Sequence, residues 1–129
     1  MENSSLYGAM PECCLCVRLE TLAEQHLQVV ADFCFPPGYA GFQGHFPNQP
    51  LLPAIVQMAM VRYLAERTVQ ASLMPGGYRK VKFTGKIVPG DTVSVVADMQ
   101  KNDQGWAVKF NLKKTDGQAV AAGFVQFLQ

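Results

Sequence analysis

Two segments near the start of the chain alternate between apolar and polar residues, the pattern of a half-buried β-strand. The first covers residues 13–20 and is predicted to turn four side chains toward a core: Cys13, Leu15, Val17 and Leu19. The second covers residues 26–35, and its predicted inner face consists of Leu27, Val29, Ala31, Phe33 and Phe35. On its solvent side lie His26, Gln28 and Asp32. The alternation stops at residue 36, so the chain is expected to leave the sheet there.

A helix is predicted from Pro53 to Val69, after a loop rich in proline and glycine over residues 36–50. Proline suits the first turn of a helix because an amide there has no partner within the helix. The first half of the helix, AIVQMAMV, is apolar nearly all round. Such a helix is normally buried on every side, so other structure is expected to enclose it. The run Met-Pro-Gly-Gly at 74–77 is expected to end this helical unit.

The remainder of the chain is predicted to form strands. In the first of them Val81 and Phe83 point to one face, and Lys80, Lys82 and Lys86 point to the other. Further strands follow over 92–99, 106–113 and 118–128, separated by turn-forming runs at 102–105 and 115–117. The last strand is apolar on both faces, which is typical of a central or doubly covered strand. These elements predict one α+β domain over residues 1–129, with an antiparallel sheet of about six strands curled around one long helix and residues 1–10 as a loose lead-in.

Composition and net charge limit the classes of protein to which this domain can belong. The chain has 129 residues, of which 49% are hydrophobic and 16% are charged, so we expect part of its surface to be hidden against a partner such as a second copy. It contains no apolar run long enough to span a membrane, and its first ten residues lack the features of a signal peptide, so a cytoplasmic protein is expected. A net charge of +1 excludes an overall basic nucleic-acid-binding protein.

The charges are unevenly distributed along the chain. Residues 1–60 carry one cation and five acids, a net charge of −4, whereas residues 61–129 carry ten cations and five acids, a net charge of +5. The densest cluster of cations consists of Arg79, Lys80, Lys82 and Lys86. Such a cluster can steer an acidic partner, or it can simply be the solvated face of a strand.

The four cysteines do not form a recognisable metal or redox motif. Cys13, Cys14 and Cys16 have the spacing C-C-x-C, which contains no C-x-x-C pair, and no histidine lies at ligand spacing from them or from Cys34. In a cytoplasmic protein such residues act as small apolar side chains. We therefore expect neither a metal site nor a disulfide.

The candidate chemistry lies where the loop enters the helix. His45 sits between aromatic residues in a proline-stiffened loop, and an imidazole that is neutral near pH 7 is the usual general base. The first amides of the helix are unpaired donors at the positive end of its dipole and can hold an oxyanion. A base beside such donors can remove a proton α to a carbonyl. Alternatively, His45 is a loop histidine that hydrogen-bonds to backbone.

This segment resembles a known family. Residues 44–54 read G-H-F-P-x-x-P-x-x-P-x, which resembles the active-site motif of the hot-dog-fold 3-hydroxyacyl-acyl-carrier-protein dehydratases. Residues 79–83 and the Val-Pro-Gly-Asp run at 88–91 resemble a strand and a turn of the same family, and the likeness covers roughly residues 26–129. Leu52-Pro53 together with Gln57 is similar to the dehydratases of the aryl-polyene type. The resemblance implies a hot-dog fold and a dimer.

The resemblance also implies roles for individual residues. In such enzymes the motif histidine, here His45, takes the C2 proton of a 3-hydroxyacyl thioester. A backbone amide at the helix start, here that of Ala54 where the family generally has glycine, polarises the thioester carbonyl. The substrate arrives on the phosphopantetheine arm of an acidic acyl carrier protein, or as a coenzyme A thioester, and no cofactor is required. Lys80, Lys82 and Lys86 are then candidate contacts for the carrier.

One part of the family's site is missing. An Asp or Glu fourteen positions after the histidine, usually supplied by the other subunit, helps the hydroxyl leave as water, but that position here is Ala59. Glu66 is seven residues further along the helix, about 10 Å away. Loss of general-acid assistance typically costs about 10²–10⁴ in rate. The site is therefore expected to bind and enolise a thioester better than it dehydrates one.

Three functions remain open on this evidence. The chain is a dehydratase whose acid has moved to a partner subunit or to the Tyr63 hydroxyl, one helical turn beyond Ala59. Alternatively, it is a non-catalytic or half-catalytic subunit that pairs with an acid-bearing homologue. The third is a thioesterase in which His45 and Gln57 orient a water against the thioester. Gln57 itself either contributes to the substrate site with Ala54, Ala59 and Tyr63 or is a core glutamine bonded to the loop.

Overall fold

The computed structural model describes residues 8–39, 42 and 51–129. Its elements are α1 (Met10–Cys13), β1 (Cys14–Ala23), β2 (His26–Cys34), α2 (Ala54–Val69), β3 (Met74–Phe83), β4 (Thr92–Asn102), β5 (Gly105–Lys114) and β6 (Ala119–Leu128). The two N-terminal strands, the long helix and the strands after it therefore lie close to where the hydrophobic patterns predict them. The differences occur mainly at the edges of the sheet.

The six strands form a single antiparallel sheet in the order β1-β2-β4-β5-β6-β3. Strands β1 and β3 are the two edges. Strand β6 lies between β5 and β3, which confirms the central position predicted from its two apolar faces. The predicted turn between β4 and β5 is also present, where Asn102 Oδ1 accepts hydrogen bonds from the amides of Gln104 at 3.1 Å and Gly105 at 3.0 Å.

The core lies between the inner face of the sheet and one side of α2. The helix packs mainly against β4 and β2. Large side chains buried from the sheet include Phe33, Phe110 and Phe127, and Met60 and Leu64 are buried from the helix. Burial of a side chain of this size stabilises the fold by roughly 1.5–3 kcal/mol relative to exposure. Because every strand is hydrogen-bonded into one sheet, this single layer positions the helix.

The helix is less enclosed than its apolar sequence predicts. Six of its residues are buried, all on the side that faces the sheet: Val56, Gln57, Met60, Val61, Leu64 and Ala65. On the opposite side Ile55 keeps 62% of its surface exposed. The expectation of enclosure on every side is therefore wrong for the single chain, because one sheet covers only one side of a helix.

The predicted burial of β1 is also wrong. Leu15 and Leu19 are 61% and 56% exposed, although Leu19 pairs in register with the buried Val29 and therefore lies on the inner face. A register irregularity between Cys14 and Cys16 interrupts the alternation of faces at the start of this strand. In addition, β1 is an edge strand that has a neighbouring strand, β2, on one side only. An alternating pattern identifies a strand, but it does not reveal whether that strand lies at the edge of the sheet.

Strand β3 begins earlier than predicted, because Met74 to Gly77 belong to it and do not simply end the helical unit. Proline is tolerated here because β3 is an edge strand, where one row of amides needs no partner within the sheet. Gly76 has a packing reason, since a Cβ atom there would lie 2.9 Å from Leu128 Cγ. Further along, Lys80 has a φ of 52° and the register shifts between Arg79 and Lys82. The simple alternation predicted for Lys80 to Lys86 is therefore broken by a bulge.

Candidate active site

The start of α2 presents free donor positions. Pro53 precedes the helix in an extended conformation, with φ −66° and ψ 157°, and no side chain caps it. The amides of Val56 and Gln57 both donate to Pro53 O at 3.1 Å. By helix geometry the amides of Ala54 and Ile55 have no acceptor within the helix. They lie at the positive end of the dipole, as an oxyanion site requires.

Both ends of the loop that precedes α2 are attached to one segment, residues 87–90. At the end of β2, Phe35 O accepts a hydrogen bond from Gly90 N at 3.0 Å. At the helix entrance, Leu52 N donates to Ile87 O at 2.9 Å. This segment therefore fixes where the loop leaves the sheet and where it joins the helix. Sequence reasoning identified the Val-Pro-Gly-Asp turn but not these two attachments. The first joins residues that are 55 positions apart, and the second joins residues that are 35 positions apart.

Asp91 holds this segment together. Its Oδ2 atom accepts a hydrogen bond from Val88 N at 3.0 Å and lies 3.1 Å from Lys114 Nζ. Partial burial acts to raise the pKa of Asp91, but the Val88 amide and the Lys114 ammonium outweigh it, and the pKa lies below its ordinary value. The charged form is therefore the one that stabilises the turn.

Asp91→Asn is expected to lower the free energy of unfolding by roughly 1–2 kcal/mol at neutral pH, because it removes a charge-assisted hydrogen bond and an ion pair. A lowered pKa in the folded state means that the stabilisation is complete above the ordinary aspartate pKa of about 3.9 and is lost as the pH falls below it. Urea unfolding at several pH values measures this. Asp103→Asn, in the β4–β5 turn, serves as the control. The assignment of this stabilisation to the charged Asp91 carboxylate would be contradicted if wild type and Asp91→Asn differed in unfolding free energy by the same amount in acid as at neutral pH.

Gln57 is the buried polar side chain of the site. It is 4% exposed, and its Nε2 donates to Leu52 O at 3.3 Å, which holds the amide against the helix entrance. Its Oε1 atom is buried and has no hydrogen-bond partner within the described residues. The sequence analysis offered a core glutamine bonded to the loop as one role for Gln57, and the Nε2 end of its amide makes such a bond. The other end is an acceptor in the first turn of the helix, and no residue of the described part of the chain donates to it.

If the acyl-carrier ligand implied by the sequence resemblance binds at this site, Gln57→Leu is expected to weaken binding of an unreactive acyl-carrier thioether by about tenfold, the equivalent of one hydrogen bond. The change in unfolding free energy should stay within about 1 kcal/mol, because the variant removes both the bond to Leu52 and the unpartnered acceptor. Titration calorimetry and urea unfolding provide the two measurements, with Gln28→Leu on the outer face of β2 as a control. Unchanged affinity with lost stability would make Gln57 a purely structural residue.

Ala59 is partly buried and packs against the core, although it lies one turn after the exposed Ile55 and outside the set of six fully buried helix residues. Glu66 is engaged at the far end of the helix, where its Oε2 accepts Leu73 N at 2.7 Å and lies 3.5 Å from Arg62 Nε. Its distance from Ala59 along the helix therefore matches the sequence estimate. This carboxylate has partners of its own and does not replace an acid at residue 59.

Tyr63 is held toward the sheet and the C-terminal end of the helix. Its hydroxyl lies 3.4 Å from Arg67 Nη1, one turn further along, and its ring packs edge-on against Phe33 with centroids 6.2 Å apart. Arg67 Nη1 also lies 3.6 Å from Cys14 Sγ. These contacts engage the hydroxyl oxygen with Arg67 and the ring with Phe33, so they add no support for Tyr63 as a replacement acid.

The remaining candidate residues are distributed as follows. His45 lies outside the described residues. Lys80, Lys82 and Lys86 are exposed, but the bulge separates Lys80 from Lys82 in the sheet register. His26, predicted to be solvated, is instead bonded through Nε2 to Asp98 Oδ1 at 2.8 Å. That pair joins residues 72 positions apart, which no local pattern predicts.

Other kinds of site receive no support from the described residues. Within residues 8–39, 42 and 51–129, His, Cys, Asp and Glu side chains form no group of three that could hold a metal ion. All four cysteines are free thiols, and burial raises the pKa of Cys13 to about 11. Cys16 is exposed, so the prediction of an apolar packing role fits Cys13 and not Cys16. In the same part of the chain no helix has the length and apolarity needed to cross a membrane.

Comparison with solved structures defines the class of protein. The chain has the hot-dog fold, as predicted. It is similar to a chain of the dehydratase heterocomplex ApeI:P from Xenorhabdus doucetiae, with a TM-score of 0.73, 24% identity, and coverage of 87% of this chain and 95% of that one. It is also similar to the Escherichia coli PaaI protein of the phenylacetic acid degradation operon, with a TM-score of 0.63, 13% identity, and coverage of 99% and 90%.

Comparison of sequences then identifies the family. Residues 21–124 match the family described as ApeI-like, ApeI dehydratase. The 3-hydroxyacyl-[acyl-carrier-protein] dehydratase FabZ of Enterococcus faecalis is 32% identical over 97 residues, which cover 67% of each chain. FabZ of Clostridium beijerinckii is 27% identical over 95 residues, covering 68% of this chain and 67% of that protein. The chain therefore belongs to the ApeI-like dehydratase family.

Proposed function

We propose that this chain binds 3-hydroxyacyl thioesters carried on an acyl carrier protein and removes their C2 proton, with His45 as the base and the Ala54 amide as the oxyanion donor. The observation that carries the proposal is the helix start. Within the described residues, the helix start has no side-chain cap, and the buried Gln57 Oε1 in its first turn has no hydrogen-bond partner, in a member of a dehydratase family. FabZ relatives act on 3-hydroxyacyl-acyl-carrier-protein substrates, as their names state.

The proposed chemistry proceeds in two steps. His45 takes the C2 proton as the C–H electron pair moves toward the thioester carbonyl, and the Ala54 N–H donates to the oxygen that becomes negative. The enolate electrons then form the C2–C3 double bond as the C3–O bond breaks. The departing hydroxide needs a proton to leave as water. Ala59 has none to give, so the first step is expected to outpace the second unless another chain supplies an acid.

A second candidate function is a subunit that pairs with an acid-bearing homologue. It is favoured by the position of Ala59, which is only partly buried in the single chain. A structural neighbour is described as a dehydratase heterocomplex, which gives the same architecture a precedent. In such a pair the two chains together would form the dimer and complete the site. Thioester hydrolysis is the remaining alternative, and a neighbour from Streptococcus pneumoniae is described as a hypothetical thioesterase.

One assay distinguishes these functions. The purified chain is incubated with a 3-hydroxyacyl thioester, and both enoyl product and free thiol are quantified. Enoyl product supports dehydration, and free thiol supports hydrolysis. Enoyl product that appears only after an acid-bearing homologue is added supports the paired subunit. If none of these appears and the thioester does not bind, the proposal is wrong.

We further propose that Lys80, Lys82 and Lys86 contact the acidic carrier. Lys86→Glu, placed beyond the end of β3, is expected to weaken carrier binding by about threefold to tenfold at low salt, because it replaces an attraction with a repulsion. The effect should shrink as added salt screens the charges. Surface plasmon resonance against immobilised carrier at two salt concentrations measures it, with Lys101→Glu in β4 as the control. Equal effects of the two substitutions would contradict a local docking site.

A further inference from the structure

Two cysteines that are far apart in the sequence come opposite each other at the end of the β1–β2 ladder. Cys14, the first residue of β1, pairs in register with Phe33, the last residue but one of β2. Continuing the ladder by one position sets Cys13, at the end of α1, opposite Cys34. Directly opposed residues of antiparallel strands have Cα atoms about 4.5–5.5 Å apart. Disulfides join Cα atoms about 4.4–6.8 Å apart, so these backbone positions suit a bridge.

The two thiols also act on each other. Burial is the main cause that raises the pKa of Cys13 to about 11, and the charge of Glu12 adds to it. The next contribution to this pKa comes from Cys34, and it exceeds that of Cys14, the adjacent residue in the chain. Because an electrostatic interaction weakens with distance, the Cys34 sulfur lies near that of Cys13. The C-C-x-C spacing could not reveal this pair, because Cys34 lies 21 positions after Cys13.

The other two cysteines are less well placed for a bridge to Cys34. Cys14 packs against the core on the side of its partner Phe33, which is fully buried. Successive side chains of a strand point to opposite faces, so Cys34 points to the face opposite that of Phe33. Cys16 lies beyond the register irregularity of β1 and is exposed. Cys13 is therefore the partner that the ladder offers to Cys34.

Cys34 lies at a junction that positions the loop before α2. Its Sγ atom donates to Gly90 O at 3.7 Å, and Gly90 N donates to Phe35 O at 3.0 Å. Gly90 belongs to the segment 87–90, which also accepts the amide of Leu52 at the helix entrance. A bridge from Cys34 to Cys13 would therefore fasten α1 to the point where this loop leaves the sheet.

We propose that Cys13 and Cys34 are a redox-active pair, which hydrogen peroxide oxidises to a reversible disulfide that fastens α1 to the end of β2. The Cys34 thiolate, on the more accessible of the two sulfurs, attacks one peroxide oxygen, the O–O bond breaks, and a sulfenic acid and water form. The Cys13 thiolate then attacks the sulfenic sulfur, an S–S bond forms, and the oxygen leaves as a second water. The two sulfurs together lose the two electrons that the peroxide gains.

Tryptic mapping tests the pair directly. Arg18 is the only cation before Arg62, so trypsin places Cys34 alone in the peptide 19–62 and the other three cysteines in the peptide 1–18. The protein is treated with hydrogen peroxide, and its remaining thiols are blocked with N-ethylmaleimide before digestion. Mass spectrometry is expected to find the two peptides joined by a bond that dithiothreitol breaks. Absence of this link would overturn the proposal.

Single substitutions identify the partner of Cys34. The link should vanish in Cys13→Ala and persist in the matched controls Cys14→Ala and Cys16→Ala. It should also form faster as the pH rises toward 11, because a larger fraction of Cys13 is then thiolate, the nucleophilic form. A link that persists in Cys13→Ala, or that is lost in either control, would overturn the assignment.

Urea unfolding gives a second measurement, which does not depend on a substitution in the core. Oxidation is expected to raise the urea midpoint of the wild type and of Cys16→Ala, because a bridge constrains the unfolded chain. It should not raise that of Cys34→Ala, a substitution at a half-buried position. A midpoint that oxidation leaves unchanged in the wild type would contradict the fastening of α1. Because no substrate is present, these outcomes are independent of whether thioester chemistry is found.

Discussion

Replacing His45 with alanine is expected to lower the initial rate of enoyl formation from a 3-hydroxyacyl thioester by about 10²–10⁴-fold. The reason is that no other side chain of the proposed site can accept the C2 proton near pH 7. Gln57 is not basic, Tyr63 carries a neutral phenol near pH 7, and Ala54 contributes only an amide. The rate should be measured both in the wild-type chain and in an Ala59→Asp background, where turnover is expected to be higher.

The control for this substitution is the second histidine of the chain. His26→Ala removes an imidazole that is bonded to Asp98 at 2.8 Å, and it should leave turnover within about twofold of wild type, because solvent-exposed pairs of this kind contribute little. If His45→Ala retained wild-type turnover, the motif would be a relic and the proposed base would be wrong.

Ala59→Asp is expected to raise the dehydration rate, by up to about 10²–10⁴-fold if the carboxyl reaches the C3 hydroxyl. The substituted position is only partly buried, so the carboxyl is not forced into the fully buried core. The cost to the helix is modest, since aspartate is about 0.5–0.7 kcal/mol less favourable than alanine in a helix. Enoyl product formed per unit time, compared in wild type and variant, measures the effect.

Ala59→Asn provides the matched comparison, because it has the shape of aspartate but cannot donate a carboxyl proton. It should stay near the wild-type rate. An Ala59→Asp variant that folds and binds thioester but forms no more enoyl product than Ala59→Asn would contradict the missing-acid account. The reaction would then be of another kind.

The hydrophobic pattern predicts the positions of the main elements well because it reflects local geometry. The helix over 53–69 and the strand over 118–128 match α2 and β6, and the β4–β5 turn lies at 102–105 as predicted. In each case the period of two or of 3.6 residues follows directly from the backbone conformation. The Asn102 side chain then closes the turn through bonds to residues two and three positions away.

Features that depend on distant or missing neighbours are not predictable in this way. Leu15 and Leu19 have the spacing of buried residues, yet nothing in the strand itself reveals that it lies at the sheet edge. Ile55 is likewise apolar and yet 62% exposed, because the sequence does not reveal which side of α2 the sheet covers. For the same reason, the sequence gives no sign that Phe35 and Leu52 are attached to one segment.

The candidate site, like the fold, is predictable from the sequence only in part. The resemblance of the segment around the helix start to the family's motif predicts a base at His45, an amide donor at Ala54 and a missing acid at Ala59, all within one stretch of the sequence. Gln57 illustrates the limit of this reasoning. Its polarity within an apolar turn marks it as unusual, but only the structure shows that Nε2 bonds to Leu52 while Oε1 keeps a free lone pair among the described residues.

Deuterium exchange at C2 tests the central claim most directly. A 3-hydroxyacyl thioester is incubated with the wild-type chain in D2O, and mass spectrometry follows both label uptake into the substrate and enoyl product. If the chain holds a base and an oxyanion donor but no acid, label should enter C2 faster than enoyl product accumulates, and His45→Ala should stop both. Two results would contradict the account. One is thiol release without deuterium uptake at C2, and the other is a substrate that binds to the wild-type chain but takes up no deuterium.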